Sequence, residues 1–242
     1  LVGTSFEKNR FNSFSASGQG FPDDEFLNGL SSAAIPLPPF NASGQNALLS
    51  FYMRGNYAWK DKYLLTFTAR ADASSKFPKE NRVGYFPSGG AAWRVSQENF
   101  MKNITWLDEL KLRASAGYTG TQNIGNNLFY TLYSPVSFGG ENGLIPTQLG
   151  NNTIKWESTL QKDLGIDFSV FKSKLTGTFG YYQKNTSGVL FNTPVGRSSG
   201  FGEVIANVAN IQNRGLELDL NAEFINNKNF QWSGGLNISR NR

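Results

Sequence analysis

The 242-residue chain contains no cysteine and no histidine. Without thiols it forms no disulfide, offers no thiolate nucleophile and builds no cysteine metal site. Without imidazole it lacks the commonest general base and metal ligand. Enzyme chemistry built on those two side chains is thereby excluded, and we expect no catalytic residue, no metal ligand and no cofactor. Charge is also scarce, at 17% of residues against about 25% in soluble domains, whereas aromatics reach 14%. That balance fits a surface that partly meets something other than water. Long apolar runs are missing too. None approaches the roughly 18 residues of a membrane helix, so a membrane crossing by this chain is made by strands. The formal charge of +5 raises nucleic acid as a partner, but Lys and Arg are dispersed without a dense cluster, and nucleic-acid binding is not expected.

What is present is strict alternation. In KLRASAGYT, Leu112, Ala114, Ala116 and Tyr118 oppose Lys111, Arg113, Ser115 and Gly117. In LELDLNAEF, Leu216, Leu218, Leu220, Ala222 and Phe224 oppose Glu217, Asp219, Asn221 and Glu223. A strand has a side-chain period of two, so each segment has one oily and one wet face. Carboxylates on every second position cannot face a packed core. They need water, which points to a barrel with a wet interior.

The pattern predicts about nine strands. They are LVGTSFE, Leu49 to Trp59, YLLTFTARA, GAAWRVS, LKLRASAGY, LQKDLGIDFSVF, LTGTFGYYQK, LELDLNAEF and FQWSGGLNIS. The connections near 60–62, 97–109, 172–174 and 226–229 are expected on one side, and longer loops near 9–47, 72–88, 119–157 and 185–213 on the other. Outer-membrane barrels sort short periplasmic turns from long extracellular loops in this way. Trp59, Tyr63, Trp106, Phe171, Phe230 and Trp232 fall beside the short turns, where an interfacial aromatic girdle is expected. Leu1 in place of an initiator Met, and an end at Arg242 one step after a strand, lead us to expect a piece of a longer protein. Nine strands alone leave two unpaired edges, each unpaired backbone group costing several kcal/mol in hydrocarbon, so further strands are expected to close the sheet.

Two stretches go beyond pattern: RADASSKFPKENRVGYFPSGGAAWR at 70–94 and LKLRASAGYTGTQNIG at 110–125. Together with NTIKWE at 152–157, FGYYQKNTSGVL at 179–190 and NRGLELDL at 213–220, they closely resemble segments of the SusC/RagA-type TonB-dependent transporters of the Bacteroidetes outer membrane. The resemblance covers roughly residues 48–240. Ala73 and Pro78 stand where that family usually has Gly, and Thr121 where Asn is common.

The resemblance implies an all-β, antiparallel transmembrane β-barrel, of which residues 1–242 form part of a single barrel domain. About nine of roughly 22 strands are here, with the N-terminal plug and remaining strands elsewhere. It also implies energised nutrient import, of a glycan, oligosaccharide or oligopeptide, across the outer membrane of a Gram-negative bacterium. The implied partners are a SusD-like surface lipoprotein and the TonB complex, the latter acting through the plug. No substrate-binding residue is assigned.

The motifs themselves are read as architecture. Asp72, Ser74, Ser75 and Asn81 are expected to bond their own backbone in turns, Gly84 and Gly89 to supply unusual dihedrals, and Pro87 to end pairing at a strand start. Against that stands a role for Arg70, Asp72 or Arg94 on a substrate path. Arg113, Asp163, Asp167, Glu217 and Asp219 face the lumen, toward a plug or water. Tyr130, Tyr133 and Phe138 either stack on sugar rings or pack their loop. Gly117, Gly120 and Gly125 form no phosphate loop, since no Lys-Ser/Thr follows. Two other classes remain open at this point. A soluble β-rich binding or adhesion module would pack its apolar faces together. An all-β glycosidase would need two convergent carboxylates, with Asp23 and Asp24 or Glu217 and Asp219 as the pairs on offer.

Overall fold

The computed structural model describes residues 1–23 and 25–242. Nine strands form one antiparallel sheet in chain order: β1 Val2–Ser15, β2 Phe40–Trp59, β3 Tyr63–Ser74, β4 Val83–Arg94, β5 Leu107–Thr121, β6 Glu157–Val170, β7 Leu175–Pro194, β8 Glu203–Asn226 and β9 Gln231–Asn241. Each pairs with its neighbours in sequence, so β1 and β9 are the two edges. Two small hairpins, Gly18–Gln19 with Ile35–Pro36 and Leu132–Phe138 with Glu141–Gln148, belong to loops.

Every segment read as a strand is a strand, but several run further than the alternation reaches. β1 continues to Ser15, and β2 begins at Phe40. β7 and β8 reach 20 and 24 residues, so the expected loop at 185–213 is a hairpin with only 195–202 unpaired. The connections at one end cover 60–62, 95–106, 171–174 and 227–230; those at the other cover 16–39, 75–82, 122–156 and 195–202. The 95–106 connection is therefore longer than two on the opposite side, which corrects the expected ordering. The asymmetry lies instead in the strands. About 10 residues cross a bilayer, and β7 and β8 project well beyond that as a ribbon.

Pro87 shows how the sheet is trimmed. It pairs with Ala69 on β3, whereas pairing of β4 with β5 begins only at Ser88. A residue without an N–H suits the position at which one neighbour is released. Gly84 and Gly89, by contrast, are not among the residues with positive φ, which corrects the expectation of unusual dihedrals.

No second sheet covers the apolar face among the described residues. Large side chains such as Phe51, Leu65, Leu164, Leu216 and Ile238 lie exposed along it. A soluble sandwich would bury them, so the single sheet rules against the binding-module reading. Among the described residues only Phe77, Phe86, Val95, Ile154 and Val170 form a buried apolar core, and they sit at the sheet's two ends.

Candidate functional site

The polar face carries several clusters of charged and hydrogen-bonding groups. On β3 the Arg70 guanidinium donates through Nε to both oxygens of Asp72, at 2.8 and 2.7 Å, and through Nη2 to Ser50 Oγ at 3.0 Å. Ser50 and Asp72 are register partners, and both are buried. Further along, Lys111 and Arg113 of β5 converge on Asp167 of β6, at 3.1 and 3.2 Å, and Thr178 of β7 adds a hydrogen bond at 3.3 Å. Ser115 and Gln161 donate to Asp163. Asp219 accepts from Asn221 and Asn237.

Gly165 makes the central contact possible. A Cβ there would stand 2.6 Å from the Arg113 Nε, so the bare backbone is the bed on which the guanidinium lies to reach Asp167. These groups hold one another in a wet wall. They form a hydrogen-bonding lining for a lumen, with acids and bases alternating across strands.

The motif at 70–94 meets the NTIKWE segment at the long-loop end. Phe77 and Ile154 are both 0% exposed. The Trp156 ring stacks on Phe77 at 4.8 Å and meets Phe86 edge-on at 5.4 Å, while its Nε1 donates to the Arg82 carbonyl at 3.1 Å. Asn81 Nδ2 donates to the carbonyls of Thr153 and Ile154, and Lys76 Nζ to that of Gln122. Gly84 and Gly120 flank the Phe86 ring where any Cβ would collide with it.

Of the four residues expected to bond within their own turn, Ser74 does so by accepting the Lys76 N–H. Asp72 pairs with Arg70, Ser75 accepts the Ala47 N–H and Asn81 reaches across to the 122–156 loop. The motifs are therefore a clamp between distant loops. Arg70 and Asp72 are internally paired, and Arg94 lies 3.8 Å from Glu109.

The short-turn end carries the expected girdle. Trp59 and Tyr63 approach to 5.4 Å, Trp106 and Phe171 to 6.2 Å, and Phe224 and Trp232 to 4.7 Å, all substantially exposed. A residue that the sequence reading passed over ties this end together. Glu98 accepts from Lys62 Nζ at 2.9 Å, Tyr63 Oη at 2.8 Å and Trp93 Nε1 at 3.2 Å. The Lys62 hydrogen bond, reinforced by those of Tyr63 and Trp93, holds its carboxyl down at about 2. At the other side a bulge at Asp108 lets its carboxylate accept the Ser173 N–H and cap the 171–174 turn.

Of the carboxylates raised for a glycosidase, Asp219 is engaged by Asn221 and Asn237. Asp24 lies outside the described residues, and Asp23 accepts the backbone N–H groups of Glu25, Phe26 and Leu27, which lower its pKa. The Tyr130 ring lies 4.3 Å from that of its chain neighbour Phe129.

A charged inner face, a bare apolar outer face and an aromatic rim at one end are the features of a transmembrane barrel wall. The family model for the TonB dependent receptor-like β-barrel matches residues 1–241. The chain belongs to the TonB-dependent receptor β-barrel family. Within that family it is of the SusC/RagA type. TonB-dependent receptor P3 of Formosa agariphila is 35% identical over 247 residues, covering all of this chain and 25% of the relative. TonB-dependent receptor SusC of Bacteroides thetaiotaomicron is 34% identical over 206 residues, 81% of this chain and 20% of the relative. Among solved structures, the RagAB peptide transporter superposes with a TM-score of 0.88 at 28% identity, over all of this chain and 27% of its own. The siderophore receptor PirA from Acinetobacter baumannii, at 15% identity and a TM-score of 0.57, shares the fold alone. The chain thus spans about a quarter of the length of its relatives, as an arc of a larger TonB-dependent receptor barrel.

Proposed function

We propose that this arc forms part of the wall of an outer-membrane importer that takes up a nutrient by TonB-driven transport. Residues 1–242 belong, in this reading, to one barrel domain, and the plug and further strands lie in the remaining three-quarters of the receptor's length. The observation that carries the proposal is the opposition of the two sheet faces. Arg113, Asp163, Asp167 and Asp219 occupy the inner face while Leu164, Phe179, Leu216 and Ile238 lie bare on the outer one. A wet, hydrogen-bonding lumen inside a lipid-facing wall suits passage of a polar solute past a plug. In this reading the protein acts as a transporter.

Two substrate classes are supported by the resemblance. An oligopeptide is supported by the likeness to the RagAB peptide transporter, and a glycan by the likeness to SusC-type receptors. A SusD-like lipoprotein would present either at the outer face, and TonB would act through the plug. The test uses the full-length receptor. It should fractionate with the outer membrane and migrate faster on a gel before heating than after. Deleting it should abolish growth on either oligopeptides or oligosaccharides as sole source, and deleting TonB should do the same. Recovery in the soluble fraction would end the barrel reading. A heat-modifiable barrel whose loss leaves growth unchanged on both sources would end the nutrient reading alone.

A further inference from the structure

The outward face is not uniformly packed. In one register row Ala91 and Ala114 lie side by side and are followed by Leu164 and Tyr181. The two small residues floor a hollow of about 580 Å³, walled by Tyr63, Trp93, Leu112, Ile166 and Phe179. It runs on toward the long-loop end into a second hollow of about 530 Å³, sharing Ala91, Ala114, Leu164 and Tyr181 and floored there by Gly89 and Ala116. The next row up reads Gly89, Ala116, Lys162, Gln183, Arg214. Lys162 stands at the mouth of the groove, and Arg214 is two strand spacings away, about 10 Å, within reach of the same group by its long side chain. Arg240 follows on β9, opposite Leu216. Neither Lys162 nor Arg214 makes an ion pair among the described residues. These rows hold no carboxylate; Asp163 also borders the second hollow, but its carboxylate accepts from Ser115 and Gln161 on the opposite face.

We infer that this groove is a site for one phosphorylated lipid of the outer leaflet. Its acyl chain lies over Ala91 and Ala114, and its phosphate is held by Lys162 and Arg214. The inference rests on the membrane-wall reading above. A smooth wall would need no such trough. Small residues beneath large ones leave room the width of a chain, and an unpaired cation pair at the upper border is complementary to an anionic headgroup at that depth. A second copy of the chain seated on this face would have to bury Lys162 and Arg214 without counter-charges, which is costly.

The test uses the full-length receptor reconstituted in phosphatidylcholine vesicles doped with lipid A or with its dephosphorylated form, then extracted and weighed intact by native mass spectrometry. We expect one retained lipid A per barrel, with retention about tenfold weaker for the dephosphorylated form. The double variant Lys162→Gln, Arg214→Gln should lose the preference for phosphate and keep the heat-modifiable band. Ala114→Phe, which fills the groove, should lower retention of both forms. Equal retention of the two lipids by the native receptor, or no change in either variant, overturns the lipid site while leaving the barrel intact. Lipid-free dimers that Ala114→Phe dissolves would overturn it in favour of self-association. Loss of the heat-modifiable band in the native receptor would instead show that the wall reading itself had failed.

Discussion

The two ends of the sheet use the same residue type for opposite purposes. At the long-loop end Phe77 and Phe86 are swallowed beneath a loop, with Trp156 and Ile154 closing over them and Gly84 and Gly120 making room. At the short-turn end Trp106 and Phe171 are 53% and 56% exposed and meet between two neighbouring connections. One set packs protein on protein, and the other offers its rings to a membrane interface. The difference teaches where the stability of such an arc resides. The wall between the ends has no apolar core among the described residues, so its fold rests on backbone pairing, lipid and these two fastenings.

The sharpest way to break the comparison is to truncate an aromatic at each end. Phe77→Ala removes a ring with no solvent exposure and leaves a cavity that the Asn81 and Trp156 clamp cannot close. It should cost the full-length receptor about 3–5 kcal/mol, read as a lowered midpoint of heat modification in detergent. Trp106→Ala should cost far less in detergent, about 0.5–1.5 kcal/mol for the lost ring pair. Equal losses at the two ends would mean that the Phe77 cluster is not a core. The loop clamp should fail locally as well. Phe77→Ala should expose the 75–82 and 122–156 segments to protease while the 60–62 turn stays protected.

The middle of the sheet sharpens the contrast from another side, because there a glycine and not a ring is decisive. Gly165→Ala drives a methyl into the Arg113 guanidinium, which must leave Asp167 or lift away from the wall. Overpacking of that kind costs about 1–3 kcal/mol. Combining it with Arg113→Ala should restore much of the loss, because the small side chain no longer meets the new methyl. The two-variant cycle is measured by the same midpoint. Strict additivity would mean that the close approach of Gly165 and Arg113 carries no energy.

How much of this was legible in the sequence follows the same division. The alternation in Lys111–Tyr118 and Leu216–Phe224 revealed the wall because lipid on one face and water on the other write a period of two. Above the membrane both faces meet water, so 185–194 and 203–213 lose the alternation while keeping their pairing. They read as loops for that reason. The girdle was visible because short turns mark its level.

The Phe77 clamp was not visible. Its halves lie some 75 residues apart, and only the resemblance marked both as special. Gly84 drew notice for the wrong reason, since its role is space and not dihedral freedom. Glu98 gave no signal at all. It sits in a connection without period, and its partners Lys62, Tyr63 and Trp93 come from the 60–62 turn, β3 and β4.

Glu98 also provides the finest test of the two-ended picture, because the short-turn end is held partly by charge and the long-loop end by an apolar cluster. Its carboxyl titrates at about 2 in the folded protein against an ordinary 4.5. A depressed carboxyl stabilises fully above its unfolded value, and that contribution fades as pH falls from about 4.5 through about 2. Acid should therefore loosen the 60–62 turn and the 95–106 connection before it touches the Phe77 cluster. Amide exchange reads this directly. Protection of the Lys62 N–H, which donates to the Trp59 carbonyl, should fall across that window in the native receptor. With Glu98→Gln it should start lower and stay nearly flat. Parallel pH profiles for the two proteins would mean that the three hydrogen bonds to Glu98 do not distinguish its charged form, and that the 60–62 turn does not depend on that charge.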